Sequence, residues 1–205
     1  MLPRVLRAMV VPTGGAMKSS AFVERLGSRL RVTDTRVPAD GARRAAVAAL
    51  VHDAVTGPRV LLMRRTERAG DPWSGHVSLP GGRHEPSDAD LLATAIRETH
   101  EELGVDLTGA HLLGSLEPLH PRSSGPAGIE VTPFVFTTTA VVEPRTGPEA
   151  AAAFWLPFDL ATSGALDGTY TYPGSALTFP SWTYEGHTIW GLTMRILGSI
   201  AELSR

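Results

Sequence analysis

Residues 81–105 read GGRHEPSDADLLATAIRETHEELGV and join a double-glycine turn to an amphipathic stretch rich in acidic residues. Ser87 is a favourable N-cap residue, and Gly104 suits the left-handed position that ends a helix. Apolar residues between them recur at three- and four-residue spacing, as on the inner face of a helix. This spacing predicts a helix over residues 88–103 that closely follows the glycine turn.

Three carboxylates of this helix, Glu98, Glu101 and Glu102, are spaced so that their side chains share one face. Like charges at this spacing repel one another, so the arrangement favours a compensating cation. A set of ligands made only of oxygen atoms suits Mg²⁺ or Mn²⁺, and Mg²⁺ also binds substrate phosphates. A solvated charged face without a metal ion is the alternative interpretation of the same pattern.

The glycine turn and the helix together resemble the Nudix box of the Nudix hydrolase superfamily. The matching residues are Gly81, Gly82, Arg97, Glu98, Glu101, Glu102 and Gly104. Asp88 stands in the first acidic position of the box, and Arg97 lies nine residues beyond it, one more than in the general pattern. This longer spacing is similar to the coenzyme A pyrophosphatase branch of the superfamily.

The resemblance to that branch extends over about residues 40–203. Residues 70–80, GDPWSGHVSLP, retain Gly75 of its substrate signature but lack the Leu-Arg pair, the His and the Phe. The resemblance implies metal-dependent hydrolysis of a diphosphate linkage in a nucleoside diphosphate derivative, with coenzyme A or an acyl-CoA as a candidate substrate. ADP-ribose, NADH and dinucleoside polyphosphates are the alternatives.

The resemblance also implies a role for each matching residue. The implied ligands of Mg²⁺ or Mn²⁺ are Glu98, Glu101, Glu102 and, through its backbone carbonyl, Gly82. The implied catalytic residues are Glu98, Glu101 and Glu149. The implied structural residues are Gly81, Asp88, Arg97 and Gly104, with Arg97 paired to Asp88 or Glu85.

Glu149 is the candidate for a general base or an additional metal ligand, because the family often has a Glu in the loop six residues before the position of Trp155. The alternative is a charge at the N-terminus of a helix that follows Pro148. Sequence alone leaves these two interpretations open.

Substrate-binding residues are expected beside the box. Arg64 and Arg65 lie at a predicted strand end, where one of them can bind a substrate phosphate; solvated edge charge is the alternative. Trp73, in the loop before the box, is the candidate for stacking on an adenine base. Core packing is the favoured interpretation for Trp155 and Trp190.

The pattern of elements predicts an α/β or α+β fold, and the resemblance specifies the Nudix fold, a mixed β-sheet sandwiched between helices. The predicted strands include residues 44–52 and 59–64, which form a hairpin, and residues 130–140. Helices are expected over residues 20–30 and 189–203. Loops expected to set the substrate preference span residues 70–75, 121–128 and 161–180. The predicted domains are an N-terminal arm with a short helix, residues 1–40, and a Nudix hydrolase domain, residues 41–205.

The composition excludes several classes of function. With no Cys among 205 residues, the chain cannot form a disulfide, a thiolate zinc site or a cysteine nucleophile. The net charge of −2 gives no reason to expect a nucleic-acid partner, and no apolar run reaches the roughly 18 residues of a membrane helix. We expect a cytoplasmic enzyme with a small nucleotide substrate, and the resemblance implies a homodimer. A non-catalytic Nudix ligand sensor is less favoured, because the three box glutamates are all present.

Overall fold

The structure is a computed structural model and describes residues 20–70, 73–121 and 128–205. Within these residues the chain forms helices α1 (Ala21–Arg29), α2 (Leu91–Leu103), α3 (Phe158–Thr162) and α4 (Gly191–Leu203), and a short 3₁₀-helix (Leu107–Gly109). The strands are β1 (Arg44–Ala54), β2 (Gly57–Arg65), β3 (Val77–Ser78), β4 (Gly81–Arg83), β5 (His111–Ser115), β6 (Glu130–Thr138), β7 (Ala150–Pro157), β8 (Asp167–Thr171), β9 (Thr178–Tyr184) and β10 (His187–Trp190).

Seven of the described strands form one mixed sheet. Its path runs β3-β2-β1-β6-β5, with β4 paired to β1 and β7 paired to β2. The central strands β1 and β6 are parallel, from Arg44 opposite Glu130 to His52 opposite Thr138. The predicted hairpin is confirmed, because β1 and β2 pair in antiparallel fashion. Strands β8, β9 and β10 form a separate antiparallel sheet.

Alternate residues of β1 and β2 face opposite sides of the large sheet. Ala46, Leu50 and Met63 belong to a buried cluster that contains the inner face of α2. Val51 and Leu62 belong to a second cluster, which contains the buried residues of α1, α3 and α4. Helices therefore cover both faces, and the predicted sheet between helices is confirmed.

Helix α1 packs on the same core as the rest of the fold. Leu26 of α1 is fully buried. The backbone N–H of Ser20 donates a 2.7 Å hydrogen bond to the Asp53 carboxylate, and the Arg25 guanidinium donates to the carbonyl of Ser204. The described part of the predicted N-terminal arm is thus joined to the domain core. Outside the described residues lie residues 1–19 of that arm and residues 71–72 and 122–127 of the predicted loops.

Helix α2 begins later than the sequence predicts. Its first residue is Leu91, and the Asp90 side chain accepts a 2.8 Å hydrogen bond from the backbone N–H three residues on. The predicted N-cap, Ser87, and the predicted start at residue 88 are therefore wrong. The physical reason is that Asp90 caps the first turn of the helix. The Asp88 carboxylate instead accepts hydrogen bonds from Arg97 and from the backbone N–H of Glu85, so residue 88 lies in the loop before the helix.

The C-terminal region also differs from the prediction. Helix α4 begins at Gly191, because Ile189 lies in β10 and pairs there with Trp182 of β9. Residues 161–180, predicted as a loop, contain the end of α3, all of β8 and the start of β9. None of the described helices is both long enough and apolar enough to cross a membrane.

Candidate active site

Gly81 and Gly82, predicted as a turn, begin strand β4, where they pair with Val47 and Ala46 of β1 and lie beside the carboxylates of α2; we keep the name glycine turn for these two residues. The backbone N–H of Gly81 donates a 2.8 Å hydrogen bond to Oε2 of Glu102. A Cβ at Gly81, whose φ is 146°, would lie 2.3 Å from the carbonyl oxygen of Ala46. A Cβ at Gly82 would lie 2.4 Å from the Glu98 carboxylate. Position 81 therefore requires glycine, because backbone atoms occupy the space of a side chain, whereas a side chain at Gly82 would displace the Glu98 carboxylate.

An ion pair ties the loop after this turn to α2. Of the two predicted partners of Arg97, the structure selects Asp88, which accepts hydrogen bonds of 2.8 and 3.0 Å from the guanidinium. Arg97 also donates a 3.2 Å hydrogen bond to the carbonyl of Arg83. The Arg97 guanidinium holds the pKa of Asp88 well below its usual range. Arg97 thereby fixes the backbone that follows the glycine turn.

Two box carboxylates point into a region of low solvent access. Glu102 is 3% exposed, and Glu98 is partly buried. Burial, together with the neighbouring Glu98 carboxylate, raises the pKa of Glu102 to about 7, and burial also raises the pKa of Glu98. The negative charge of Glu149 acts in the same direction on both groups. A divalent cation bound between such carboxylates would favour their ionised forms, so the donor set fits Mg²⁺ or Mn²⁺ in chemical type.

Glu101 lies apart from this pair. Its side chain is 58% exposed and accepts a 3.1 Å hydrogen bond from the Arg97 guanidinium. Arg97 also contacts Oε1 of Glu98 at 3.0 Å. Among residues 20–70, 73–121 and 128–205, no three acidic or histidine side chains are gathered as a ready-made metal site. The structure therefore brings Glu98 and Glu102 together and leaves Glu101 outside this pair, exposed to solvent.

The loop over residues 143–149 caps the C-terminal end of α2. The backbone N–H of Gly147 donates a 2.7 Å hydrogen bond to the Glu102 carbonyl, and that of Arg145 donates a 2.7 Å hydrogen bond to the Leu103 carbonyl. These bonds satisfy carbonyls that have no partner within the helix. A Cβ at Gly147 would lie 2.4 Å from the carbonyl oxygen of Glu101, so only glycine allows this approach.

The same loop positions Glu149 in the cleft that Glu98 and Glu102 line. The backbone carbonyl of Glu149 accepts a 2.9 Å hydrogen bond from the Thr66 N–H at the end of β2. Its carboxylate accepts a 3.2 Å hydrogen bond from Arg68. Glu149 directly precedes β7, which begins at Ala150, so the alternative of a charge at a helix N-terminus is wrong. Glu149 is held by Thr66 and Arg68, its loop is bonded to α2, and it shares one cleft with the box carboxylates.

That cleft has a volume of about 1560 Å³. Its acidic end is lined by Glu98, Glu102 and Glu149, and by three arginines, Arg65, Arg68 and Arg83. Neighbouring residues of a strand face opposite sides, and accordingly only one of the two predicted arginines lines the cleft. Arg65 does so, whereas Arg64 lies outside the lining and contacts Glu67 at 3.5 Å.

Another part of the cleft lining is aromatic. Trp73, the residue predicted to stack on a base, lines it. Trp190 lines it as well and, unlike Trp155, does not pack on the buried core clusters of the described residues, so the interpretation of Trp190 as a core residue is wrong. Trp155 packs on the α2 side of the sheet, where its ring lies 5.6 Å from the His52 ring, in keeping with core packing.

Sequence reasoning missed several residues that line or shape the cleft. They are Arg68, Arg83, Gly147, Tyr172 and Phe179. A signal for the aromatic residues was available, because Tyr170 and Tyr172 are two apart, as on one face of a strand. Gly147 carried no comparable signal, since its role depends on a contact with a distant helix.

Comparisons with known proteins agree with this geometry. Residues 42–173 match the family model described as the NUDIX domain. The chain belongs to the Nudix hydrolase family. It is 34% identical over 150 residues to the protein named "Uncharacterized Nudix hydrolase NudL" of Yersinia pestis, covering 71% of this chain and 72% of that one. This Nudix hydrolase is therefore a pyrophosphohydrolase, in a family that acts on nucleoside diphosphate derivatives and generally uses divalent metal ions.

Solved structures show the same fold at low identity. A Nudix hydrolase from Alicyclobacillus acidocaldarius is 20% identical with a TM-score of 0.55, and the match covers 82% of this chain and 95% of that one. A bifunctional NMN adenylyltransferase/ADP ribose pyrophosphatase from Francisella tularensis is 15% identical with a TM-score of 0.53. That match covers 82% of this chain and 43% of the Francisella protein. At these identities the likeness concerns the fold alone.

Proposed function

We propose that this Nudix hydrolase uses Mg²⁺ or Mn²⁺ to cleave the diphosphate linkage of a large nucleoside diphosphate derivative, with coenzyme A or an acyl-CoA as the first candidate. The observation that carries the proposal is the pair of carboxylates, Glu98 and Glu102, held against the glycine turn at one end of a 1560 Å³ cleft. Pockets for small ligands commonly measure about 300–1000 Å³, so this cleft has room for an extended substrate.

In this proposal, four side chains at the acidic end bind the metal ion or the substrate phosphates. Glu98 and Glu102 hold the divalent ion, with Gly82 beside them. When bound, the ion offsets charge on the diphosphate and lowers the pKa of a water molecule. Arg65 and Arg68 bind phosphate oxygens through charge-assisted hydrogen bonds.

Glu149 is the proposed general base. It accepts a proton from the attacking water as the water oxygen bonds to phosphorus. The bond from that phosphorus to the bridging oxygen breaks, and the electron pair leaves with the bridging oxygen. Two products result, each with a phosphate group. The 3.2 Å contact with Arg68 and the bond from Thr66 hold Glu149 in position for this step.

The alternative substrates are ADP-ribose, NADH and dinucleoside polyphosphates. Each of them, like coenzyme A, carries an adenine ring joined to a diphosphate or longer phosphate chain. Trp73 and Trp190 line the cleft, where such a ring can stack. The aromatic side chains therefore fit both groups of candidates, and the group on the other side of the diphosphate separates them.

A substrate panel tests the proposal. Coenzyme A, an acyl-CoA, ADP-ribose, NADH and a dinucleoside polyphosphate are incubated with Mg²⁺ or Mn²⁺, and products are identified by mass spectrometry. We expect two phosphate-bearing products from at least one substrate, and loss of turnover in Glu98→Gln and Glu102→Gln. Glu24→Gln, an exposed glutamate of α1, is the charge-matched control and should retain activity. Metal binding without any product would contradict hydrolysis and support the alternative of a ligand sensor.

The homodimer implied by the family resemblance and the cytoplasmic location expected from the sequence stay predictions. Sedimentation velocity at several protein concentrations tests the first. Fractionation of cells that express the chain at its natural level tests the second.

A further inference from the structure

Four aromatic rings, which we call the aromatic wall, form one cluster, and three of them line the cleft. They are Tyr170, Tyr172, Phe179 and Trp190. The ring of Tyr170 stacks on that of Trp190 with centroids 4.3 Å apart and planes at 27°. The rings of Phe179 and Tyr172 lie 5.3 and 6.0 Å from Trp190. Contacts at these distances stabilise aromatic clusters, so the wall is a continuous surface rather than separate side chains.

The aromatic wall is fixed relative to the acidic end of the cleft. Thr193, in the first turn of α4, donates a 3.0 Å hydrogen bond through its hydroxyl to the carbonyl of Val77. Val77 lies in β3, paired with Arg64 of β2, a few residues before the glycine turn. The His76 ring meets the edge of Trp190 at 5.1 Å. These contacts therefore join the aromatic wall to strands β2 and β3 of the large sheet, which lead to the acidic end of the cleft.

Three members of the wall line the cleft without being fully buried. Tyr172, Phe179 and Trp190 are all half-buried there, and Tyr170 lies behind them. Leu177 continues the same surface and is 62% exposed. Apolar ring surface left accessible inside a cleft favours a flat apolar group and offers little to a phosphate.

We infer that the aromatic wall binds the planar nitrogen heterocycle of the substrate and that Tyr172 and Phe179 determine this preference. The inference rests on the proposed function, because it names the residues that bind the base of the substrate's nucleoside. The match to the NUDIX domain ends at residue 173, so Phe179 and Trp190 lie outside it. The ring preference is therefore supplied largely by the part of this chain that follows the matched domain.

Binding of nucleotides and of a ring-free analogue tests the inference. AMP, GMP, CMP, UMP and ribose 5-phosphate are titrated by calorimetry into the full chain with Mg²⁺. We expect at least one nucleotide to bind about tenfold more tightly than ribose 5-phosphate, the scale of one base stacked on an aromatic ring. Equal affinity for all five compounds would overturn the inference.

Two variants assign this preference to the wall. Tyr172→Leu and Phe179→Leu keep apolar bulk but remove a ring. Each should lose most of the nucleotide advantage while the affinity for ribose 5-phosphate stays the same, and Tyr172→Phe should restore it. An unchanged advantage in both leucine variants, or an equal loss for ribose 5-phosphate, would overturn the assignment.

Tyr184→Leu is the matched control. Tyr184 lies in β9, as Phe179 does, but an odd number of residues away, so it faces the opposite side and contacts Phe154. It should keep the full nucleotide advantage, and loss of that advantage would count against the wall. Because these titrations need no turnover, a chain that hydrolyses nothing but discriminates rings would contradict the proposed function alone.

Discussion

The Glu102 carboxylate accepts a 2.8 Å hydrogen bond from the backbone N–H of Gly81, although the side chain is only 3% exposed. The main-chain carbonyl of Glu102 accepts a second bond, of 2.7 Å, from the N–H of Gly147. One residue of α2 is thus held at its side chain by the glycine turn and at its backbone by the loop that carries Glu149. The acidic end of the cleft is therefore assembled around Glu102.

Gly81→Ala should destabilise the fold and abolish activity. The new Cβ would lie 2.3 Å from the backbone oxygen of Ala46, which cannot move without disturbing β1. The matched control is Gly57→Ala, because Gly57 also has a positive φ, of 107°, but has open space around it. We expect Gly81→Ala to cost about 2 kcal/mol more than Gly57→Ala in urea unfolding. Equal losses would show that backbone strain alone, and not close packing, requires glycine at position 81.

Asp88→Asn should destabilise the protein in a pH-dependent way. In the folded state Arg97 holds the pKa of Asp88 below its ordinary value of 3.8. The stabilisation is therefore complete above that value and is lost as the pH falls towards the folded-state pKa. We expect a loss of about 2 kcal/mol at pH 7 that shrinks below about pH 4.

Urea unfolding of wild type and variant at pH 7 and pH 3 measures this dependence. Asp34→Asn is the control, because Arg36 lowers the pKa of Asp34 to about 2 but both groups are exposed. Exposed pairs contribute little, so Asp34→Asn should be nearly neutral at both pH values. A gap between wild type and Asp88→Asn that is the same at pH 7 and pH 3 would contradict the assigned pair.

The sequence predicted the parts of this site that local patterns determine. The spacing of Glu98 and Glu102 and the position of Gly104 follow from helix periodicity and from the left-handed C-cap, whose φ is 64°. The choice of N-cap could not be predicted in the same way. Ser87 and Asp90 are both good caps, and the competition is decided by the contact of Asp88 with Arg97, which exists only in the folded chain.

The aromatic wall and the position of Glu149 depend on contacts between distant parts of the chain. Thr193 and Val77 are 116 residues apart, and their hydrogen bond places Trp190 beside the cleft. A periodicity argument interprets Trp190 as the continuation of an apolar helix, because β10 and α4 are both apolar and adjoin directly. Likewise, the role of Gly147 becomes visible only when its loop meets the end of α2.

Gly147→Ala should lower kcat by a larger factor than it lowers the equilibrium constant of folding. The added methyl would lie 2.4 Å from the carbonyl oxygen of Glu101 and should push the loop, with Glu149, away from α2. Glu98 is held by other contacts, so metal affinity should change little.

Gly198→Ala is the control, because nothing lies within 4 Å of that position on α4. It should leave kcat unchanged and stabilise the helix by about 0.5–1 kcal/mol. An equal loss of metal affinity and of kcat in Gly147→Ala would place the damage at Glu102 instead.

Glu98→Gln and Glu101→Gln should differ, although the family resemblance implies a metal ligand at both positions. Glu98 lines the cleft, whereas Glu101 is 58% exposed and bound to Arg97. We follow Mn²⁺ binding by electron paramagnetic resonance. Glu98→Gln should weaken it by more than about 100-fold, because loss of a direct ligand should exceed the roughly 10–100-fold effect of a residue that only supports one. Glu101→Gln should weaken it by no more than about 10–100-fold, because Glu101 reaches Glu98 only through Arg97. Glu117→Gln, an exposed glutamate outside the cleft lining, should bind Mn²⁺ as wild type does. Equal weakening by the two box variants would mean that Glu101 leaves Arg97 when the metal binds, as the resemblance implies.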